Sequence, residues 1–224
     1  MFIVRRGSGN LFFHSRALAL QARHSSIFTV RTPSKNAPRE APTPLVFCSA
    51  SHWDIGTRNG IPDFISMLAE KGYTCIDSDF GPPANGDGEM PLSSQSLLDH
   101  LSEELKLNLR LSGSPFPPVI FARGFASLIA QTYVSSNPAH GLFLISPPLS
   151  NASLFPSVLP THLGEFDYEF NFPVAVMARP AEMVHLRKSC RLGQDESVDL
   201  VELDNLEGRD ALLRIEQWLD ELGI

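Results

Sequence analysis

The run Pro118-Val-Ile-Phe-Ala-Arg-Gly-Phe-Ala-Ser-Leu-Ile-Ala-Gln-Thr-Tyr-Val134 reads as a strand, a sharp turn and a helix. Its turn is Ala122-Arg123-Gly124-Phe125-Ala126, with small residues at both flanks. In a G-x-S-x-G turn of this layout, a serine is lifted clear of the strand end so that its hydroxyl can attack an acyl carbon. Gly124 stands in the serine's place and has no side chain to attack with. Other groups could do chemistry. Cys48 and His52 are close enough in sequence to form a thiolate–imidazole pair, although a cysteine ending a strand is by default buried and inert. Asp77 and Asp79 flank Ser78, but no third ligand is near, so loop capping is expected rather than a metal site. The chain has no P-loop, G-x-G-x-x-G or H-E-x-x-H motif. Its three cysteines, Cys48, Cys75 and Cys190, form no C-x-x-C and imply reduced thiols rather than a disulfide framework or a zinc site.

These residues need elements to position them. Short apolar runs predict strands at Leu45–Ser49, Tyr73–Asp77, Val119–Ala122, Leu142–Ile145, Val174–Ala178 and Val198–Leu203. Helical spacing predicts Ile61–Lys71, ended by Gly72, then Ser93–Leu109, Phe125–Ser136 and Asp210–Leu222. Gly81–Met90 reads as a loop. Pro147–Phe172 has no strong period. Strands alternating with helices imply a mostly parallel sheet of about six strands covered on both faces. No internal repeat is present.

The chain has 224 residues, 43% of them hydrophobic, enough for one ordinary domain plus an appendage. Its charge is uneven. Residues 1–39 hold seven basic residues and no acidic one. The remainder holds 11 of the 18 basic residues and all 25 acidic ones, a net charge of −14. An acidic body disfavours nucleic-acid binding. Arg-rich, Ser-rich and acid-free is the composition of a mitochondrial transit peptide. Leu11, Phe12, Ser15, Leu18 and Ala19 can share one helical face, with Arg16 and Arg23 off it. Ala22-Arg23-His24-Ser25-Ser26 resembles a matrix-processing site with a cut after His24. Four prolines between Thr32 and Pro44 read as a linker. The expected organisation is a leader and linker over residues 1–42 and one folded domain over 43–224, located in the mitochondrial matrix. No run of 18 apolar residues is present to suggest a membrane-spanning helix.

Residues 44–224 resemble a compact α/β-hydrolase. Pro44-Leu-Val-Phe-Cys-Ser-Ala-Ser-His52 is similar to that family's oxyanion-loop strand. Leu68-Ala-Glu-Lys-Gly-Tyr-Thr-Cys-Ile-Asp77 is similar to its helix-to-strand passage. The elbow is followed by Leu128-Ile-Ala-Gln-Thr-Tyr133, Asn137-Pro138 and Gly141-Leu-Phe-Leu-Ile-Ser-Pro147, typical of the family's next helix and strand. The resemblance implies a reduced cap and lacks the family's opening antiparallel strands.

The resemblance also implies three catalytic slots in the order serine, acid, histidine. The nucleophile slot is Gly124, between Arg123 and Phe125, whose backbone N–H would be the oxyanion donor. The acid slot follows the fifth strand and is filled approximately by Glu182. The histidine slot is the loop Asp204–Arg209, yet no histidine follows His185. Arg123 is expected either to plug the former pocket by pairing with Glu182 or Glu207, or to bind a carboxylate or phosphate beside the next helix N-terminus. Ser49, Ser51 and His52 end the first strand at the edge where such sites sit, and Ser49 and His52 join Arg123 as candidate ligand-binding residues. Ser127 is expected to cap backbone N–H groups, and His185 to lie on a surface helix. His140 belongs to the opposite edge. No cofactor or metal is implied. The expected function is that of a catalytically inactive hydrolase-like protein, a scaffold or accessory subunit with other mitochondrial proteins as partners. The alternatives are an ester or thioester hydrolase with a relocated nucleophile, and an acyl or small-anion binder.

Overall fold

The structure is a computed structural model that describes residues 26–83 and 93–224. The expected leader helix and processing site, and most of the expected loop Gly81–Met90, lie outside the described residues. Seven strands form one sheet in the order β1-β3-β2-β4-β5-β6-β7. They are β1 (Ile27–Arg31), β2 (Ala41–Ser49), β3 (Tyr73–Asp79), β4 (Val119–Arg123), β5 (Gly141–Ile145), β6 (Val174–Ala178) and β7 (Val198–Glu202). All pair in parallel except β1, which runs antiparallel to β3.

This corrects the expected boundary at residue 42. Ile27–Arg31 belongs to the sheet, and β2 begins at Ala41. The sheet therefore has seven strands rather than six, and one antiparallel strand opens it. The physical reason is that β1 is an edge element. Four of its five residues are exposed, so it carries little of the buried apolar signal by which a strand is read.

The central strands β4, β5 and β6 are buried at every position, because helices cover both faces. Alternate residues feed two separate clusters. Ile120, Ala122, Leu142 and Leu144 pack towards Leu97, Leu101 and Met183. Val119, Phe121, Phe143 and Ile145 pack towards Phe64, Leu68 and Trp218. The first face is therefore covered by α2 (Ser94–Leu111), α3 (Ala126–Val134) and α4 (Pro180–Ser189). The second is covered by α1 (Ile61–Glu70) and the closing helix α6 (Arg209–Glu221), α5 being the short Arg191–Gln194. Phe47, Phe121, Phe143 and Trp218 form an aromatic row under that second face, with successive ring centroids 4.8, 5.4 and 5.2 Å apart.

α4 was expected only as a surface helix carrying His185, without bounds, and the structure places it at Pro180–Ser189. Only Met183 and Leu186 of its ten residues are buried, so its helical period is faint in the sequence. The segment between β5 and β6 stands where a cap would insert. Its Phe166, Tyr168, Phe170 and Phe172 lie on the core in alternation with exposed Glu165, Asp167 and Glu169. Arg191 fastens it by donating to the carbonyls of Phe166 at 2.9 Å and of Tyr168.

Candidate functional site

The carboxyl ends of β2, β3 and β4 meet at one edge, above which runs the loop from Ala50 to Gly60. Gly124 follows β4 and opens α3. Its φ is +56°, in the left-handed region where a side chain is strained. Its N–H donates to the Ile145 carbonyl at 3.0 Å, and its carbonyl accepts from Ser127 N at the same distance. The turn is thus a true elbow between a buried strand and a buried helix.

Little space remains over it. A Cβ on Gly124 would stand 3.0 Å from the Thr57 methyl and 3.5 Å from Asp54 Oδ2. Thr57 is fully buried in the single helical turn Ile55–Arg58. Its hydroxyl accepts from Ala50 N at 2.9 Å and donates to the Asp54 carbonyl at 2.7 Å, locking the loop onto itself. Trp53 lies against Phe125, ring centroids 5.2 Å apart.

Arg123 fills the remaining polar position. It is 7% exposed. One guanidinium nitrogen donates to the Asn59 carbonyl at 2.6 Å, and the other pairs with Glu207 at 2.8 Å. Of the two carboxylates expected as partners, Glu207 is the one chosen. Glu182 instead accepts from Ser146 Oγ at 2.8 Å and from Arg179 N at 3.5 Å, as a helix-start carboxylate does. Ser146 itself has a φ of +44°, the one non-glycine residue in the left-handed region among the described residues.

A second latch holds the same loop. Arg58 donates to both oxygens of Asp77, at 2.9 and 2.7 Å, and to Ser49 Oγ at 3.1 Å. Asp79 accepts from Ser49 Oγ at 3.0 Å, from Ser51 N at 2.9 Å and from Ser51 Oγ at 2.5 Å. The Asp77 carboxylate raises the Arg58 pKa above its ordinary value, keeping the cation charged. Asp77 and Asp79 therefore hold the loop, and among the described residues no three metal-ligating side chains converge.

The other candidate groups fall apart in space or are occupied. Cys48 is fully buried, and burial, with the Asp77 charge adding to it, pushes its thiol well above the ordinary range. That overturns a Cys48–His52 thiolate pair, since His52 is exposed and rests edge-on against Trp53. Ser49 is buried within the Asp79 network. Ser127 is buried as well, and its Oγ points back to the Ala122 carbonyl at 3.5 Å rather than capping N–H groups as expected. His185 is exposed on α4, and His140 donates its N–H to the Pro118 carbonyl at the opposite edge of the sheet. Of Ser49, His52 and Arg123, expected to share a ligand site, Ser49 is bonded to Asp79 and Arg123 to Asn59 and Glu207, and His52 lies against Trp53. Asn59 and Thr57 were missed in the sequence. Nothing in an Asn-Gly or a lone Thr signals that it will close over a turn that lies more than 60 residues away in the chain.

No family model matches the sequence, and no curated protein is significantly similar to it. Solved structures are similar. A putative carboxylesterase from Lactobacillus plantarum superposes with a TM-score of 0.60 at 12% identity, covering 90% of this chain and 95% of that one. A soluble variant of monoglyceride lipase from Saccharomyces cerevisiae gives 0.57 at 12%, covering 88% and 92%. Esterase 2 from Thermogutta terrifontis gives 0.57 at 14%, covering 88% and 90%. The chain has the α/β-hydrolase fold. At these identities the likeness speaks for the fold alone. Within the α/β-hydrolase fold, Gly124 stands at the elbow that follows β4, Glu182 follows β6, and Glu207 lies in the loop after β7 to which the resemblance assigns the histidine. An ion pair, Arg123–Glu207, thus spans from the elbow to that loop. No helix among the described residues is long and apolar enough to cross a membrane.

Proposed function

We propose that this chain is a catalytically inactive α/β-hydrolase-like protein that acts through its surface, as a scaffold or accessory subunit of a larger mitochondrial complex. The observation that carries the reading is the elbow. Gly124 offers no nucleophile, the Thr57 methyl stands 3.0 Å from where a Cβ would sit, and Arg123 is engaged by Glu207 and Asn59. Loss of a nucleophile and its base leaves only the modest acceleration that binding and oxyanion donors supply. The buried, proton-holding state of Cys48 and the bonded state of Ser49 speak against a relocated nucleophile. The two bonds of Arg123 speak against an anion held there.

The mitochondrial destination rests on the acid-free, Arg-rich residues 1–39. A cut after His24 is compatible with the fold, because β1 starts at Ile27 and the sheet stays whole. The test has two arms. A fluorophosphonate probe and a panel of esters and thioesters should give neither an adduct nor turnover. Labelling that disappears in Ser49→Ala or Ser127→Ala would overturn the inactive reading. Affinity isolation of the tagged full chain from mitochondria should return stoichiometric protein partners, and recovery of the chain alone as a free monomer would refute the scaffold role.

A further inference from the structure

α3 carries the elbow at its start, and its other end lies about 14 Å along the helix axis. There a hollow of about 490 Å³ opens between the end of α3, the first half of α2 and residues 163–168 of the segment that joins β5 to β6. That volume is in the range of small-molecule sites. Four carboxylates stand on its walls, Asp99 and Glu103 from α2 and Glu165 and Asp167 from the joining segment. The first two are four apart on a helix, so they share a face about 6 Å apart. The other two flank Phe166, which turns to the core, so they share the opposite side of an extended chain about 7 Å apart.

The charge is not cancelled from within. Glu103 is paired with Lys106 at 2.8 Å, but Asp99, Glu165 and Asp167 form no ion pair among the described residues. Glu165 accepts only from the backbone N–H of Asn151, at 2.7 Å. The neighbouring Arg191 is committed to the carbonyls of Phe166 and Tyr168 and lies over the Tyr168 and Phe170 rings. Neither His100 nor His162 lines the hollow. The side-chain donors of the wall are also spent. Thr132 Oγ1 donates to the Leu128 carbonyl at 2.8 Å, Ser135 Oγ to the Thr132 carbonyl at 2.7 Å, and Asn137 Nδ2 to the Tyr133 carbonyl at 3.0 Å. Gln95 Nε2 donates to Asp99 at 2.8 Å. What the wall has left to offer is chiefly oxygen acceptors. Ser102 separates this hollow from an ordinary solvated acidic face. It lines the wall at 6% exposure, and its hydroxyl makes no hydrogen bond among the described residues. The Tyr168 hydroxyl in the same wall is likewise buried without a partner. Polar groups buried to this degree cost free energy until something bonds to them.

We propose that this hollow binds an aliphatic polyamine, its ammonium groups on Asp99, Glu165 and Asp167 and one N–H on the Ser102 hydroxyl. A ligand here must be cationic and rich in donors, because the wall is anionic and rich in acceptors. A metal ion is not what the wall fits, since among the described residues no three metal-ligating side chains converge. Carboxylates spaced about 6 and 7 Å apart instead suit separate charges joined by short methylene chains. Leu163 and Phe166 give those methylenes an apolar wall to lie against. The proposal is independent of the state of the elbow.

The experiment uses the full chain with Arg5→Gln, Arg6→Gln, Arg16→Gln and Arg23→Gln, so that leader cations do not compete for the acids. It is titrated with spermidine by calorimetry at physiological salt. Saturable binding at one site per chain is expected, with butylamine bound about tenfold more weakly or worse and equimolar magnesium unable to displace spermidine. Asp99→Asn with Asp167→Asn should weaken spermidine about tenfold or more, and Ser102→Ala severalfold. Asp63→Asn with Glu196→Gln, exposed acids outside the hollow, should leave binding unchanged. Without ligand, Ser102→Ala should melt no lower than the parent, because its hydroxyl has no bond to lose. Absence of saturable binding, an equal loss in the Asp63 and Glu196 pair, displacement by equimolar magnesium, or tighter binding of an Arg-rich peptide than of spermidine would overturn the proposal.

Discussion

Gly124 shows how a single residue type decides both conformation and chemistry. A φ of +56° costs a residue with a Cβ about 1–2 kcal/mol, and the Cβ would also press on the Thr57 methyl. Gly124→Ser should therefore lower the unfolding free energy by about 1–3 kcal/mol in urea titrations, and should not react with a fluorophosphonate, since no histidine follows His185 to serve as its base. An active Gly124→Ser variant would show that a general base had been overlooked. The Arg123–Glu207 pair admits a sharper measurement. Arg123 is buried while Glu207 is half-exposed, so removing the arginine leaves the Asn59 carbonyl without its donor but lets the carboxylate hydrate. Arg123→Met should cost more than Glu207→Gln, and a double-mutant cycle should give a coupling of about 0.5–3 kcal/mol. At this scale the sequence named Arg123 and Glu207 as possible partners because both lie in segments that the elbow layout brings together. It was silent on Asn59 and Thr57, whose roles depend on how one irregular loop folds back.

The elements were legible in proportion to their burial. Val119–Ala122, Leu142–Ile145 and Val174–Ala178 are continuous apolar runs because helices cover both of their faces, and they appear as strands nearly where expected. β1 was not legible, and α4 was legible only as a surface helix around His185 without bounds, because an edge strand and a surface helix bury too few side chains to impose a period. β1 nevertheless contributes. Its five residues pair with β3, Phe28 packs on the core and Ser26 Oγ accepts from Gly81 N at 3.0 Å. A chain beginning at Ser25 should melt like the full chain, whereas one beginning at Pro33 should lose about 2–4 kcal/mol, with amide exchange rising along β3. The loop over the elbow is likewise an element held by named bonds. Arg58→Ala removes both donors to Asp77 in a half-buried setting. It should cost about 1–3 kcal/mol and speed hydrogen exchange at Ala50, whose N–H is held by Thr57.

For the whole molecule, burial in the two cores sets a pH limit. Cys48 lies in one and Cys75 in the other. Burial raises the Cys75 thiol to about 12 and raises Cys48 further. An unfolded cysteine titrates near 8.5. Below that pH both states keep their protons and the contribution is fully present. As pH rises further, only the unfolded chain loses protons, so stability should fall by about 1.4 kcal/mol per pH unit for each thiol until the native groups ionise in turn. The fall between neutral and pH 10 should be measurably shallower in Cys75→Ala than in the parent by urea denaturation. The amino-acid order alone determined the layered α/β architecture, the elbow and its emptied nucleophile position, because periodicity and residue identity are local properties. Tertiary structure decided which carboxylate Arg123 would find, that Ser49 and Cys48 would be tied up rather than reactive, and that the basic segment would lend a strand to the sheet. Each of those outcomes depends on groups far apart in sequence meeting at a low-dielectric edge, where the bond that forms is selected by distance rather than by pattern.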